Sequence, residues 1–125
     1  MTQINYKEYF TVEEKDCISD ISSELPSVLG TYILVKWMEI VSARLINQQI
    51  NTQKYMTVGK SIDIEHSSMV KKGEAVTIEA AIMEQSKREV SFRIVAMLED
   101  KEIARAIHTR TLISKKIVTR MIGEA

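Results

Sequence analysis

The second half of the chain alternates apolar and polar residues in four segments, and this pattern limits the possible folds more than any other feature. In four segments between Tyr55 and Ile113, the apolar residues fall on one parity, as expected for strands with one buried face. They are Ile62 and Ile64, then Val76, Ile78, Ala80 and Ile82, then Val90, Phe92, Ile94 and Ala96, and finally Ile103, Ile107 and Ile113. Short polar segments around Gly73, Ser86 and Asp100 separate the strands, so the pattern predicts an antiparallel meander.

A long amphipathic helix is predicted before these strands, from about Ser27 to Gln49, with Pro26 at its start. Its apolar face consists of Leu34, Met38, Val41 and Leu45, widened by Ile33, Trp37 and Ile40. Residues Lys7–Val12 predict a short strand ahead of the helix. The order of elements therefore predicts an α+β chain with the hot-dog fold, a five-stranded antiparallel sheet wrapped on one helix. The open edges of such a sheet favour a homodimer or a larger assembly.

Length and charge narrow the function classes. A chain of 125 residues suits one domain, here spanning residues 1–125. Lys and Arg number 17, as do Asp and Glu, so the net charge gives no reason to expect nucleic acid or a membrane surface as a partner. The single Cys17, the absence of a long apolar run and an N-terminus without signal-peptide features together predict a cytoplasmic location.

The sequence contains two histidines, and each lies on a predicted strand. His66 shares the parity of Ile62 and Ile64, so the alternation predicts that it lies on the buried face. A polar ring there needs a partner or a substrate. His108 lies in the last strand. Histidines on strands are commonly ordinary packed or surface residues, and the residues alone leave both interpretations open.

Glu39 and Thr31 are the candidate catalytic residues of the predicted helix. Glu39 lies at mid-helix beside the apolar face. It is either a solvated residue paired with Lys36 or a carboxylate for base or nucleophile chemistry. Thr31 follows Gly30, either as an ordinary first-turn residue or beside free amides that suit an oxyanion. Ser42 is a weaker candidate.

Several kinds of site are absent from the sequence. Four scattered glycines do not form a phosphate-binding loop, and no Gly-x-Ser-x-Gly nucleophile motif occurs. His66, His108 and Cys17 do not have the spacing of a metal site. No metal or cofactor is therefore predicted.

Three blocks of the sequence resemble the hot-dog thioesterases of the fluoroacetyl-CoA thioesterase-like group. The block from Val28 to Glu39 contains a threonine and, eight positions later, the glutamate of a Met-Glu pair. The block from Val58 to His66 is a Val-Gly strand that ends in histidine before the turn at Gly73. The segment 107–110 is similar to the closing His-x-Arg strand of the family.

The resemblance implies hydrolysis of an acyl-CoA thioester to a free acid and CoA by dimers with active sites between subunits. It implies that Thr31, Glu39 and His66 form the catalytic set and that the backbone of Gly59 lies close to the thioester. Backbone amides near Gly30 or Gly59 are predicted to bind the thioester oxygen. A straight helix separates Thr31 from Glu39 by about 12 Å. Thr31 therefore lies off the helix or, as we favour, a second subunit completes the site.

The sequence also departs from the family pattern. Thr109 replaces an acidic residue, Ile107 replaces a small one, and the segment 21–26 contains no aromatic ring that could cover a very small fluorinated acyl group. A more general acyl-CoA substrate is therefore expected. The alternatives are a hot-dog hydratase, whose Asp/His pair is not seen, and a non-catalytic dimer that binds acyl-CoA or another small ligand.

The last segment, Ser114–Ala125, is predicted to be a strand extension or a short helix. Its cations Lys115, Lys116 and Arg120 either lie in a solvated tail, the favoured interpretation, or meet CoA phosphates.

Overall fold

The computed structural model describes residues 4–123. Residues 1–3, part of the N-terminus predicted to lack a signal peptide, lie outside this range. So do the last two residues of the predicted C-terminal tail. The regular elements are β1 (Asn5–Thr11), α1 (Thr31–Asn47), β2 (Tyr55–His66), β3 (Ala75–Gln85), β4 (Glu89–Leu98), β5 (Lys101–Ser114) and α2 (Lys115–Ile122). Two short 3-10 turns, Glu14–Asp16 and Ile18–Asp20, lie between β1 and α1.

Within the described residues, the strands form one antiparallel five-stranded sheet in the order β1-β3-β4-β5-β2. The predicted meander is correct for β3, β4 and β5 but wrong for β2, which pairs with β5 at the edge of the sheet. The physical reason lies in the connection 67–74, which is not a hairpin turn. The amide of Leu29 donates to the carbonyl of Val70 (2.8 Å), and Val28 forms a bridge with Lys71. These contacts lead the chain past the start of α1, away from β2.

Helix α1 begins at Thr31, four residues later than predicted, and Gly30 is its N-cap with extended backbone angles. The predicted start at Pro26 is wrong because the residues before Gly30 pair with other segments. Leu29 forms a bridge with Cys17, and Val28 with Lys71. Backbone groups in such extended pairs are not available for helical hydrogen bonds.

The apolar face of α1 packs against β1, β2 and β3, and the core lies between them. The ring of Trp37 stacks on that of Phe10 from β1, with 4.8 Å between centroids. The buried side chains of α1 are Ile33, Leu34, Trp37, Met38, Val41, Ser42, Leu45 and Ile46. Those of β3 and β4 include Val76, Ile78, Ala80, Val90, Phe92, Ile94 and Ala96, in agreement with the predicted alternation.

On strand β5 the predicted inward residue Ile103 is buried, but further along the strand other residues than those predicted face the core. Ile107 is 42% exposed and lies on the outer face, whereas Ala106, His108 and Arg110 are buried. The prediction failed because it followed the large apolar residues. Alanines leave room for packed neighbours, and the two polar side chains are compensated by hydrogen bonds.

The C-terminal segment is the short helix α2, one of the two predicted outcomes. It buries no residue, and Ile117, Met121 and Ile122 are exposed. Over residues 4–123, no helix is both long enough and apolar enough to cross a membrane.

Candidate active site

Thr31 and His66 lie side by side, where the start of α1 meets the end of β2. Oγ1 of Thr31 is 2.8 Å from Nδ1 of His66. The other ring nitrogen of His66, Nε2, is buried and has no hydrogen-bond partner among residues 4–123. A buried ring nitrogen without a partner is unfavourable, which makes this atom a candidate for contact with a substrate or another subunit.

Gly30, next to this pair, is packed closely by an aromatic ring. A Cβ atom at position 30 would lie 2.5 Å from Cε1 of Tyr32, so a larger residue would displace the ring. The hydroxyl of Tyr32 donates to the carbonyl of Cys17. The amide of Gly30 already donates to the carbonyl of Asp16 at 3.0 Å. An oxyanion at this end of α1 would therefore need its donor from a residue after Gly30.

Glu39 lies further along α1, with its side chain 44% exposed, and its partner is Arg110. Nη1 of Arg110 donates to Oε1 of Glu39 at 3.2 Å. The predicted alternative, a surface pair with Lys36, does not occur. A carboxylate that accepts a hydrogen bond from a buried guanidinium through one oxygen is held in position, while its side chain still reaches solvent.

Arg110 is held by four hydrogen bonds. Besides Glu39, it donates from Nε to Oγ1 of Thr57 (2.9 Å), from Nη2 to the carbonyl of Thr57 (3.2 Å) and from Nη1 to Nε2 of His108 (3.2 Å). Burial lowers the pKa of Arg110, and the neighbouring carboxylate of Glu39 opposes that change. The guanidinium stays charged because its ordinary pKa is far above neutrality.

His108 has a protonation state assigned by these contacts. Because an arginine can only donate, Nε2 of His108 accepts, and its Nδ1 carries the proton donated to the carbonyl of Ser61 at 2.8 Å. Burial is the main cause that lowers the pKa of His108. The hydrogen bond to Ser61 opposes this change, and the charge of Arg110 adds to it. His108 is thus a neutral positioning residue.

Gly59 allows the carboxylate of Glu39 to reach the sheet. A Cβ atom at position 59 would lie 2.4 Å from Oε1 of Glu39. The absence of a side chain on this edge strand leaves its backbone exposed beside the carboxylate. A cleft of about 200 Å³ opens there, lined by Glu39, Gly59, Lys60, Ser61, Ile62 and His108.

Within one chain, the predicted site residues form two groups rather than one. Thr31, Gly30 and His66 lie together at one end of α1, and Glu39 lies with Gly59 about 12 Å further along the helix. Among the described residues, no hydrogen bond joins Glu39 to His66. Ser42 faces the core with a buried hydroxyl that has no hydrogen-bond partner among residues 4–123, and it lies in neither group.

Thr57 and the anchoring role of Arg110 were missed by the sequence analysis. Arg110 appeared there only as part of the segment 107–110, and His108 was an open candidate. The available signal was their spacing: His108 and Arg110 are two positions apart on β5, so their side chains lie on the same face of the sheet. The partner strand that supplies Thr57 could not be inferred, because the β2–β5 pairing was not predicted.

Comparison with known families gives one match over most of the chain. The sequence model of the fluoroacetyl-CoA-specific thioesterase family, FlK, matches residues 12–116. Comparison with curated protein sequences gives no match.

Solved structures share the fold. The fluoroacetyl-CoA thioesterase FlK superposes with a TM-score of 0.84 at 21% identity, over 97% of this chain and 94% of that one. A variant of FlK in complex with acetyl-CoA gives 0.87 at 19% identity, over 98% and 97%. A hot-dog-like protein from Thermanaerovibrio acidaminovorans gives 0.87 at 14% identity, over 96% and 88%. The predicted hot-dog fold is confirmed.

Proposed function

The chain belongs to the fluoroacetyl-CoA-specific thioesterase family, and from this premise we propose that it hydrolyses an acyl-CoA thioester to a free acid and CoA. The observation that carries the proposal is the carboxylate of Glu39, anchored by Arg110 and lying against the bare backbone of Gly59 at an open cleft. Because no aromatic residue occurs in the segment 21–26, we expect a general acyl-CoA substrate rather than fluoroacetyl-CoA alone.

Glu39 supplies the acid–base or nucleophilic step of this reaction. In the general-base route, a carboxylate oxygen takes a proton from water while the water oxygen bonds to the thioester carbonyl carbon. The C–S bond then breaks, the thiolate of CoA leaves, and it is protonated. In the covalent route, the carboxylate attacks the carbonyl carbon, the C–S bond breaks and the thiolate of CoA leaves, and water then hydrolyses the resulting anhydride to the free acid and the Glu39 carboxylate.

Thr31 and His66 act on the same thioester from the other side. The hydroxyl of Thr31 orients the ring of His66 through the 2.8 Å hydrogen bond. Nε2 of His66 is buried and without a partner among residues 4–123, and in this proposal it becomes accessible to the departing sulfur or the carbonyl oxygen when the substrate binds. Amides near Gly59 and after Gly30 are the proposed oxyanion donors, worth about 3 kcal/mol where they are aligned.

A second copy of the chain completes the site, because Glu39 and His66 do not meet within one chain. Strand β2 lies at an edge of the sheet, where its outer backbone groups are free to pair with another strand. Antiparallel pairing of two β2 strands brings the His66 end of one strand toward the Gly59 region of the other. Each site then combines Thr31 and His66 of one copy with Glu39 and Gly59 of its partner.

Mixing inactive variants tests the reaction and the shared site together. We expect Glu39→Gln and His66→Ala each to lower the kcat for acetyl-CoA by about 10² to 10³, because each removes a proton-transferring group. After the two proteins are unfolded together and refolded, half of the dimers are mixed, and each mixed dimer holds one intact site. Thiol release should return to about one quarter of the wild-type rate.

Two results would contradict the proposal. Wild-type turnover in both single variants would show that neither Glu39 nor His66 takes part in the reaction. No recovery of activity on mixing would show that the site lies within one chain. Calorimetric binding of CoA without any thiol release would favour the non-catalytic ligand-binding dimer. Single turnover in ¹⁸O-labelled water separates the two routes, since only the covalent route can place label in Glu39.

A further inference from the structure

A second cleft lies at the opposite end of β2 from His66, outside the candidate active site. It has a volume of about 320 Å³ and is lined by Gln53, Lys54, Tyr55, Ser114, Lys115 and Lys116. The amide of Lys115 donates to the carbonyl of Lys54 at 2.9 Å, and Tyr55 pairs with Ser114. The β2–β5 ladder therefore holds the two lysine-bearing segments next to each other.

The charge of this cleft is unusual for this protein. The chain as a whole carries equal numbers of acidic and basic residues, yet the cleft is lined by three lysines and no carboxylate. None of the three forms an ion pair with another residue in the range 4–123. Like charges brought together without counter-charges repel one another, so the cleft favours an anion.

The distance between this cleft and the carboxylate of Glu39 matches the distance between the sulfur and the first phosphate of CoA. Tyr55 precedes Gly59 by four residues on the same strand, which is about 13 Å. In CoA, about thirteen covalent bonds join the sulfur to the first phosphate, comparable to roughly four residues of extended chain or about 15 Å. A thioester at Gly59 with its arm along the start of β2 therefore brings its phosphates to the lysines.

We infer that the cleft formed by Lys54, Lys115 and Lys116 binds the phosphate groups of the CoA portion of the substrate. This inference rests on the proposed thioesterase function. It assigns recognition of the nucleotide end to the β2–α2 corner, separate from the groups that act on the acyl end. It also gives the cations of α2 a ligand, where the sequence favoured a solvated tail.

Two matched double variants test the inference. Lys54→Gln with Lys115→Gln removes two charges from the cleft. Lys7→Gln with Lys101→Gln removes two exposed charges elsewhere that form no ion pair with a described residue. At low ionic strength, we expect the cleft variant to raise the KM for acetyl-CoA about tenfold with kcat unchanged. Neither variant should change the KM for acetyl-pantetheine, which has no phosphate.

The inference would be overturned if the cleft variant and the control raised the KM for acetyl-CoA equally. It would also be overturned if the cleft variant raised the KM for acetyl-pantetheine as much as the KM for acetyl-CoA. If the wild-type protein hydrolyses neither thioester, the proposed function fails and calorimetry with free CoA decides the inference separately. A Kd for CoA about tenfold weaker in the cleft variant and unchanged in the control would support it. The same Kd in the cleft variant and the wild type would overturn it.

Discussion

The Thr31–His66 pair and the Glu39 cluster hold their side chains in different ways. One hydrogen bond joins the hydroxyl of Thr31 to the ring of His66, and Thr31 is exposed. The carboxylate of Glu39 is bound by a guanidinium that makes three further hydrogen bonds and is 7% exposed. The carboxylate is therefore oriented by buried contacts within the chain, whereas the pair is held by one hydrogen bond and leaves a buried ring nitrogen without a partner among residues 4–123.

This difference indicates which of the two groups is held in place by contacts within one chain. Buried, fully bonded polar groups hold one geometry, because any departure leaves a donor or acceptor unpaired. A surface pair with a single bond can adjust when a substrate or a second copy covers it. The substitutions below test this contrast, from the largest expected effect to the smallest.

Of the three substitutions, Gly59→Ala should lower kcat most, because it displaces the carboxylate of Glu39. The added Cβ, 2.4 Å from Oε1 of Glu39, pushes the flexible end of that side chain away from its place beside Arg110. Because a displacement of about 1 Å can cost 10²-fold in rate, we expect kcat to fall about 100-fold. Steady-state thiol release measures the change, and thermal unfolding should show a loss of only about 1 to 3 kcal/mol, since buried Arg110 loses its hydrogen bond to Glu39.

The matched control for this substitution is Asp63→Ala, on the outer face of the same strand. It should leave kcat within about twofold of wild type, as expected of a surface change away from the site. Full activity of Gly59→Ala would show that the position of the carboxylate is not critical, and the contrast between the two halves would lose its meaning.

Thr31→Val should affect activity but hardly affect stability. It removes the hydrogen bond to His66 at an exposed position, so we expect about a tenfold loss of kcat/KM and at most about 1 kcal/mol in the free energy of unfolding. Thr31→Ser keeps the hydroxyl and should retain most activity. A large loss of stability in Thr31→Val would mean that the pair is as rigidly held as the carboxylate cluster.

His108→Asn should change how stability depends on pH. The pKa of His108 is lower in the folded chain than the ordinary value of about 6.5, chiefly because of burial. As pH falls below about 6.5, the unfolded chain therefore binds a proton that the folded chain does not, and the free energy of unfolding decreases. Removing the imidazole should make this decrease shallower.

Urea denaturation at several pH values between about 5 and 7.5 measures the effect. Curves of equal slope for wild type and His108→Asn would contradict the assignment of a neutral, buried His108. The expected change is the smallest of the three, since it concerns a single titrating group that accepts a hydrogen bond from Arg110.

Local patterns predicted most of the elements correctly. The alternation of β3 and β4 and the apolar face of α1 agree with the buried residues, because one-sided burial imposes a period of two on strands and 3.6 on helices. The prediction was wrong where contacts between distant segments decide the backbone. The start of α1 depends on bridges to Cys17 and Lys71, and the position of β2 depends on the path of residues 67–74.

For the candidate site, the sequence predicted a set of residues and a separation of about 12 Å between Thr31 and Glu39, but not the strand pairing around them. Thr31, Glu39, His66, Gly30 and Gly59 were all named from the sequence, and their roles stay predictions. Their separation into two groups follows from the helical rise of α1 and from the pairing of β2 with β5. The same pairing brings Thr57 to Arg110, a contact that no spacing in the sequence indicates.

Fold class and the order of elements are encoded in short-range periodicity and residue type, so the sequence was enough to predict them, whereas the catalytic roles of Thr31, Glu39 and His66 stay predictions. Strand order, the inward face of β5 and the partners of each polar side chain depend on contacts between residues far apart in the chain. Such contacts are selected jointly by packing, connection length and the need to pair buried polar groups, and only the folded structure resolves that competition.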